Sequence, residues 1–227
     1  MMNPTKSTKS RVLIVDDHPI MRVGLATLIN GQSDLVVCGE AENGLEAMKA
    51  VNALKPDLAI VDITLEGMDG IELIKRIRKR GEQCAILVLS MHDEVIYAER
   101  ALHAGARGYI MKQEARGKLL SAIRKVLADK IWISEAMTNR IISKVVAGGE
   151  MALESPVTPL SDRELEVFTL IGQGRRSREI AEALGISIRT VDAHRQRIKR
   201  KLQLEDATAL IRYAIEWENN EADPTRR

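Results

Sequence analysis

Four apolar runs in this chain each end in polar side chains that could take part in phosphoryl transfer. Residues 12–15 are followed by Asp16 and Asp17, residues 58–61 by Asp62, residues 85–89 by Ser90 and residues 108–111 by Lys112. Neighbouring carboxylates repel one another unless a cation joins them, and their hard oxygen atoms suit Mg²⁺. Asp62 is then placed to attack phosphorus, while Mg²⁺ and Lys112 neutralise the equatorial oxygen atoms and Ser90 offers a hydroxyl donor.

This chemistry requires a fold that brings the ends of the four runs together. Between residues 11 and 127 the sequence alternates apolar runs, rich in β-branched residues, with amphipathic helical patterns. Such runs are typical of strands buried on both faces of a parallel sheet. Right-handed crossovers then predict an α/β doubly wound, five-stranded parallel sheet, whose strands share one carboxyl edge where ligands bind.

Each of these residues also has a simpler interpretation when it is considered alone. A single aspartate at a strand end more often caps a helix, and a single lysine is usually a solvated surface charge. The occurrence of all these side chains at four strand ends of one predicted sheet favours a site that accepts a phosphoryl group.

The remainder of the chain has a different pattern. Residues 133–146 predict one more helix, and residues 151–159 contain Ser155, Pro156 and Pro159, which are typical of a linker. Four short helical patterns follow without a strand, at 161–172, 177–184, 188–202 and 206–217. We therefore expect an α/β domain over 11–128, a linker with a helix over 129–156 and a small all-α four-helix domain over 157–220.

Basic side chains are concentrated in the helix predicted at 188–202. Val191, Ile198 and Leu202 lie on one face, and the other face carries a single acid, Asp192, and six cations: Arg189, Arg195, Arg197, Lys199, Arg200 and Lys201. A shorter helix and a glycine-containing turn precede it, which is helix-turn-helix spacing. A solvated charged face is the commoner role of a basic helix, but this context favours binding in the major groove of double-stranded DNA.

Composition limits the classes of partner. The formal net charge of the 227 residues is +2, so any preference for a charged partner must come from local clusters. No apolar run approaches the roughly 20 residues that cross a bilayer, and the polar N-terminus lacks the apolar core of a signal peptide. The two cysteines, Cys38 and Cys84, have no metal-binding spacing, and we expect reduced thiols in a cytoplasmic protein.

The first domain resembles the receiver domain of two-component response regulators. The resemblance is carried by Asp16-Asp17, by Asp62 with residues 67–70, by Leu89-Ser90 and by residues 105–112. It implies that a sensor histidine kinase phosphorylates Asp62 with the catalytic help of Ser90 and Lys112. It also implies a switch pair, Ser90 and Tyr109, and a Mg²⁺ site formed by Asp16, Asp17, Asp62 and the carbonyl group of Thr64.

The last domain resembles the LuxR-type DNA-binding domain, and the two domains together resemble the NarL/FixJ family of transcriptional regulators. The motifs lie at residues 160–164, 179–181, 184–187, 190–194 and 201–202. The resemblance makes 188–202 the recognition helix, with candidate DNA contacts at Arg189, Thr190, Asp192, Ala193, His194, Arg195, Gln196, Arg197 and Lys201. We expect a homodimer on an inverted-repeat promoter site, with RNA polymerase as a further partner.

Three other functions fit parts of the sequence. A phosphatase with an aspartyl nucleophile needs a second carboxylate two residues later, where this chain has Thr64, so we do not expect an enzyme. A flavin protein of the same topology needs a phosphate-binding loop after the first strand, where Asp16 and Asp17 carry the wrong charge. A phosphorylation-independent regulator, controlled by a partner protein or ligand, is supported by Glu66, which stands where the family usually has proline.

Overall fold

Five parallel strands form one sheet in the order β2-β1-β3-β4-β5. They are β1 (Ser10–Val15), β2 (Leu35–Ala41), β3 (Leu58–Val61), β4 (Ala85–Ser90) and β5 (Gly108–Met111). This computed structural model describes residues 9–65, 67–91, 94–146, 157 and 159–222. The predicted doubly wound parallel sheet is confirmed, and all four residues of β3 are buried because helices cover both faces.

Five helices connect and cover these strands: α1 (Pro19–Asn30), α2 (Gly44–Leu54), α3 (Gly70–Lys79), α4 (Glu94–Ala104) and α5 (Ala115–Leu127). Local sequence explains where they begin. The side chain of Asn43 accepts a hydrogen bond from the backbone of Glu46 at the start of α2, and Asp69 accepts one from Ile71 at the start of α3. Ile71, Ile74 and Ile77 of α3 are buried, which fixes that helix against the sheet.

The core on one face of the sheet joins α1 and α5 to the central strands. Leu25 and Ile29 of α1 and Leu119 and Ile123 of α5 pack in one buried cluster with alternate residues of β1, β3 and β4. Because side chains of a strand alternate between faces, the intervening residues of these strands serve the opposite core. Both cores stop at the carboxyl edge of the sheet, where the polar residues follow.

The segment after α5 continues the sheet at its outer edge. The amide of Tyr109 donates to the carbonyl of Trp132 at 2.8 Å, and the amide of Trp132 donates to the carbonyl of Arg107 at 2.9 Å. Ser134 then donates its amide to Glu94 Oε1 at 2.8 Å, and its hydroxyl oxygen accepts from the amide of Met137. Helix α6 (Glu135–Val146) therefore begins two residues later than predicted, because the residues before it run beside β5.

Contacts within the chain define two units, Met1–Arg140 and Ile141–Arg227. The second contains α7 (Asp162–Gly172), α8 (Ser177–Ala183), α9 (Ile188–Lys201) and α10 (Ala207–Ala222), as the four helical patterns predicted. Ser161 and Glu164 form the predicted capping box of α7. The part of the predicted linker at 147–156 lies outside the described residues, as does Glu66.

An aromatic cluster fills the centre of the second unit. The ring of Phe168 lies 5.5 Å from that of Trp217 and 6.0 Å from that of Tyr213, measured between centroids. Val191 and Ile198 of α9 are buried and hold that helix by the apolar face that the sequence predicted. Gly185, with φ of +62°, makes the turn between α8 and α9, a backbone conformation that glycine adopts without strain. In neither unit does any described helix combine the length and apolarity needed to span a membrane.

Candidate functional site

An acidic cluster occupies the carboxyl edge of the sheet. Strands β1 and β3 are paired, with Val15 beside Val61, so the residues that follow them come together. The side chains of Asp16 and Asp62 are only 2% and 3% exposed, and Asp17 is partly exposed. One ligand atom from each of Asp16, Asp17, Asp62 and His18 lies within 4.8 Å of all the others. The predicted convergence of strand ends therefore includes one residue, His18, that the sequence did not single out.

Lys112 lies between two of the buried carboxylates. Its Nζ atom is 2.6 Å from Asp62 Oδ2 and 2.7 Å from Asp16 Oδ2. The backbone places it there, since the amide of Lys112 donates to the carbonyl of Ser90 at 2.7 Å beyond the paired ends of β4 and β5. Burial alone would lower the pKa of Lys112, but the charges of Asp62 and Asp16 outweigh burial and raise it. Lys112 is therefore a fixed positive charge at this edge.

Asp62 is a carboxylate that its surroundings make costly to ionise. Burial raises the pKa of Asp62 to about 6, although the charge and the hydrogen bond of Lys112 act in the opposite direction. Its second oxygen, Oδ1, accepts a long hydrogen bond of 3.3 Å from the amide of Thr64. Removing water from around a carboxylate disfavours its ionised form, and a further cation close by stabilises that form. A second positive charge beside Lys112 would therefore stabilise the ionised form of Asp62.

The donor atoms in the cluster fit Mg²⁺. Asp17 Oδ1 is shielded from solvent and, apart from His18 Nδ1 at 2.5 Å, has no hydrogen-bond partner among the described residues. Carboxylate oxygens of Asp16 and Asp62 lie around it. A set of hard oxygen donors of this kind is what Mg²⁺ takes.

The predicted switch residues, Ser90 and Tyr109, are on neighbouring strands. Val88 pairs with Tyr109 and Ser90 pairs with Met111, so the two side chains lie close to the carboxyl edge on β4 and β5. Both are buried, and the Tyr109 ring borders a cavity of about 220 Å³ that Trp132 also lines. The tyrosine is thus in the inward position, beside the segment that leads into α6.

Residues without a prediction support the cluster from α1. Arg22 donates from a guanidinium nitrogen to the carbonyl of Asp16 at 2.6 Å, and its Nε lies 3.4 Å from Glu40 Oε2. The backbone amide of His18 donates to Asp16 Oδ1 at 2.8 Å. Residue type would have allowed His18 to be considered as a ligand, but nothing in the sequence indicated the role of Arg22, because it depends on the fold of β2 beside β1.

A second candidate site is the exposed face of α9. Most predicted contacts with DNA lie there and are exposed: Arg189, Thr190, Asp192, Ala193, Gln196 and Arg197. Arg195 is half-buried. Asp192 accepts a hydrogen bond of 3.1 Å from the hydroxyl of Ser177 at the start of α8, which orients its carboxylate.

Two other predicted contacts on α9, the exposed Lys201 and the half-buried His194, lie against the rest of the unit. Lys201 Nζ lies 2.6 Å from Glu164 Oε2, a carboxylate that is almost completely buried. His194 is half-buried, and its Nδ1 atom is shielded from solvent without a hydrogen bond to any described residue. Burial, together with the charges of Arg197 and Arg163, lowers the pKa of His194. These two side chains are therefore placed to hold α9 within the unit.

Comparison with known families identifies both units. The receiver domain of response regulators matches residues 12–124, and the luxR family of bacterial regulatory proteins matches residues 158–214. This chain is a response regulator of the NarL/LuxR family. It is 36% identical over 206 residues to the transcriptional regulatory protein LiaR of Bacillus subtilis, covering 90% of this chain and 96% of LiaR. It is 34% identical over 209 residues to the oxygen regulatory protein NreC of Staphylococcus aureus, with 90% and 96% coverage.

Solved structures of response regulators have the same architecture. RcsB of Salmonella enterica, bound to promoter DNA in the presence of phosphomimetic BeF₃⁻, superposes with a TM-score of 0.59 at 28% identity, covering 92% of this chain and 99% of RcsB. A LuxR-family response regulator from Aurantimonas gives a TM-score of 0.57 at 34% identity over 61% of this chain and 99% of its own. The expected receiver fold, the LuxR-type helix-turn-helix domain and the class of transcriptional regulators are confirmed.

Proposed function

We propose that Asp62 of this response regulator accepts a phosphoryl group from a sensor histidine kinase, and that phosphorylation controls binding of promoter DNA. The observation that carries the proposal is the contact of 2.6 Å between Lys112 Nζ and Asp62 Oδ2 inside the buried acidic cluster. A carboxylate held this way presents a nucleophile next to a fixed cation that can neutralise a phosphoryl oxygen.

The transfer itself requires few groups. A carboxylate oxygen of Asp62 forms a bond to phosphorus while the bond from phosphorus to the kinase histidine breaks, and the histidine leaves with that electron pair. Lys112 exchanges part of its contact with Asp62 for an oxygen of the phosphoryl group. The hydroxyl of Ser90 donates to another. These side chains are held in advance by buried backbone, so little reorganisation is required.

The residues that would hold Mg²⁺ are Asp16, Asp17, Asp62 and the carbonyl group of Thr64. The oxygen atoms of the three carboxylates lie within the acidic cluster, and Asp17 Oδ1 has no other hydrogen-bond partner in the described part of the chain. When bound, Mg²⁺ supplies positive charge to oxygen atoms of the phosphoryl group. Arg22 keeps Asp16 in place by its bond to the Asp16 carbonyl.

The response is proposed to pass through Ser90 and Tyr109. Ser90 turns its hydroxyl toward the phosphoryl group, and the buried Tyr109 ring is stabilised inward in the space that this leaves. Since the Tyr109 amide bonds to Trp132, a change at the ring reaches the segment that begins α6. A two-state element biased by a local charge is the usual basis of such switches.

On DNA, the exposed face of α9 enters the major groove. Arg189, Thr190, Arg195 and Arg197 contact phosphates, whereas Asp192, Ala193 and Gln196 face base edges. For Lys201, whose ammonium contacts Glu164, and for the half-buried His194, we propose a role in positioning α9 in place of the predicted contact with DNA. A homodimer on an inverted repeat fits this domain, with exposed Ile211 and Ile215 on α10 available for the contact between copies. RNA polymerase is a further proposed partner, and the cytoplasm is the proposed location.

The decisive experiment compares wild type with Asp62→Asn, using a labelled small acyl phosphate as donor and genome-wide DNA binding as the second measurement. Asp129→Asn, an exposed carboxylate of the same unit, is the control. We expect the label to disappear only in Asp62→Asn, together with phosphate-dependent occupancy of promoters. Persistent label in that variant contradicts the site. Absence of label in wild type with undiminished promoter binding would favour the phosphorylation-independent regulator instead.

A further inference from the structure

We propose that His18 is a nitrogen ligand of the metal site in the acidic cluster, which biases this receiver toward transition-metal ions. The proposal rests on the proposed phosphoacceptor function and adds a residue to its metal site. Its consequence is that Mn²⁺ and Co²⁺ bind more tightly, relative to Mg²⁺, than a site of oxygen donors alone would allow.

The imidazole of His18 lies beside the two carboxylates that precede α1. Its Nδ1 atom lies 2.5 Å from Asp17 Oδ1 and 3.3 Å from Asp16 Oδ1. Metal–ligand bonds of about 2.1 Å at right angles separate adjacent donor atoms by about 3 Å, which lies between these two distances. Small rotations of the exposed His18 ring and the partly exposed Asp17 side chain are therefore enough for the three atoms to share one ion.

The backbone of His18 is fixed in a way that keeps the ring there. Its amide donates to Asp16 Oδ1 at 2.8 Å, its carbonyl accepts from the amide of Arg22 at 3.2 Å, and Pro19 follows it as the first residue of α1. Proline restricts the conformation of the residue before it, so the His18 side chain extends from a backbone of well-defined conformation. The ring is 66% exposed, and a ligand there does not require burial of a charge.

The short contact with Asp17 brings the ring nitrogen and a carboxylate oxygen close enough to bind one ion. Asp17 Oδ1 accepts no hydrogen bond from any described residue, despite its distance of 2.5 Å from the ring nitrogen. When Nδ1 carries no proton, its lone pair and those of the carboxylate face one another at this distance and a shared cation would hold them together, whereas a protonated Nδ1 donates a hydrogen bond to the carboxylate. The competing explanation is that a protonated Nδ1 donates to the carboxylates, in a hydrogen bond or an ion pair, without a metal.

Ligand chemistry predicts how the two explanations differ. Mg²⁺ prefers oxygen and keeps several waters, whereas imidazole suits the later first-row ions, with affinity rising from Mn²⁺ to Co²⁺. We expect His18→Gln to weaken Co²⁺ binding about tenfold and Mn²⁺ binding less, with Mg²⁺ affinity changed by less than about twofold. If His18 is only an ion-pair partner, its removal frees the carboxylates and all three affinities rise together.

The test is pulsed electron paramagnetic resonance of Mn²⁺ bound to the full-length protein, with calorimetric titration of the three ions. We expect modulation from a directly bound ¹⁴N nucleus in wild type and in His103→Gln, an exposed histidine on α4. The modulation should be lost in His18→Gln, while circular dichroism shows that the variant is folded. Asp17→Asn should lose Mn²⁺ binding itself.

Each other outcome has a distinct meaning. Bound Mn²⁺ that depends on Asp17 but carries no ¹⁴N modulation overturns the role of His18 and leaves the phosphoacceptor site intact. Modulation that persists in His18→Gln also overturns it, because another nitrogen is then the ligand. Failure of wild type to bind any of the three ions overturns both this proposal and the metal site on which it rests.

Discussion

Replacement of Lys201 by methionine should destabilise the second unit without removing a contact to DNA. Lys201 Nζ lies 2.6 Å from Glu164 Oε2, and the side chains are 34% and 4% exposed. The same oxygen accepts from the amide of Ser161 at 2.8 Å, so the pair connects the end of α9 to the start of α7. A hydrogen bond between charged groups contributes about 1.5–3 kcal/mol, and the exposed lysine reduces this through solvent screening. We expect a loss of about 1–2 kcal/mol in the free energy of unfolding.

The effect should depend on pH in a defined direction. Burial would raise the pKa of Glu164, but hydrogen bonds from Lys201 and Ser161 outweigh it, and the pKa is lowered from its ordinary value of 4.5. A carboxylate whose pKa is lower in the folded state stabilises the fold at pH values above its pKa in the unfolded chain. This stabilisation is lost as the pH falls through the pKa of the folded state. The difference in stability between wild type and Lys201→Met should therefore be largest near neutral pH and shrink below pH 4.5.

The measurement is urea unfolding of the full chain, followed by hydrogen exchange of peptides from α7, and DNA affinity as a function of salt. Arg197→Gln, at an exposed position on the same helix, is the control. It should leave the free energy of unfolding unchanged but lower the slope of log DNA affinity against log salt concentration by about one. Unchanged stability of Lys201→Met with the salt dependence lowered by about one unit would refute the reasoning, because Lys201 would then be a phosphate contact.

Two further predictions concern the first unit. A methyl group added at Gly70 would lie 2.1 Å from the carbonyl oxygen of Asp62 and 2.8 Å from Ile63 Cα. Gly70→Ala should therefore cost about 1–3 kcal/mol in unfolding by urea and slow labelling of Asp62, whereas Gly117→Ala, with no atom within 4 Å, should stabilise α5 by about 0.5–1 kcal/mol. Glu94→Ala removes the acceptor of the Ser134 amide, so hydrogen exchange at the start of α6 should accelerate about fivefold, for a bond worth about 1 kcal/mol. Equal exchange rates in wild type and variant would show that this bond does not hold the helix end.

Sequence patterns predicted the fold best where one local cause acts alone. Asn43 and Ser161 cap the helices that follow them, and the isoleucines of α3 are buried at helical spacing. The start of α6 was wrong by two residues because the alternation at residues 131–133 fits a helix or an extended edge equally well. The pairing of this segment with β5 depends on distant residues, and periodicity carries no information about it.

The residues of the candidate sites were likewise predictable only where a local or topological rule places them. Asp16, Asp62 and Lys112 converge because every parallel strand ends at the same edge, a rule that needs only the topology. Side chains whose partner is remote in sequence were not predictable, as for Lys201 with Glu164, where a basic residue on a basic helix is held by a buried acid 37 positions away. Exposure and charge favoured DNA for that lysine, and its contact with Glu164 became apparent only from the packing of α9 on α7.

The pairing of Trp132 with the edge of the sheet also bears on self-association. Without residues 131–134, the amide of Tyr109 and the carbonyl of Arg107 would lose the partners that this segment supplies. An open strand edge is a template on which a second chain can add. A fragment cut at residue 128, where the sequence alone placed the end of the domain, would expose this edge. A fragment that continues through Ser134 keeps it covered by its own chain and should remain monomeric at concentrations where the shorter one aggregates.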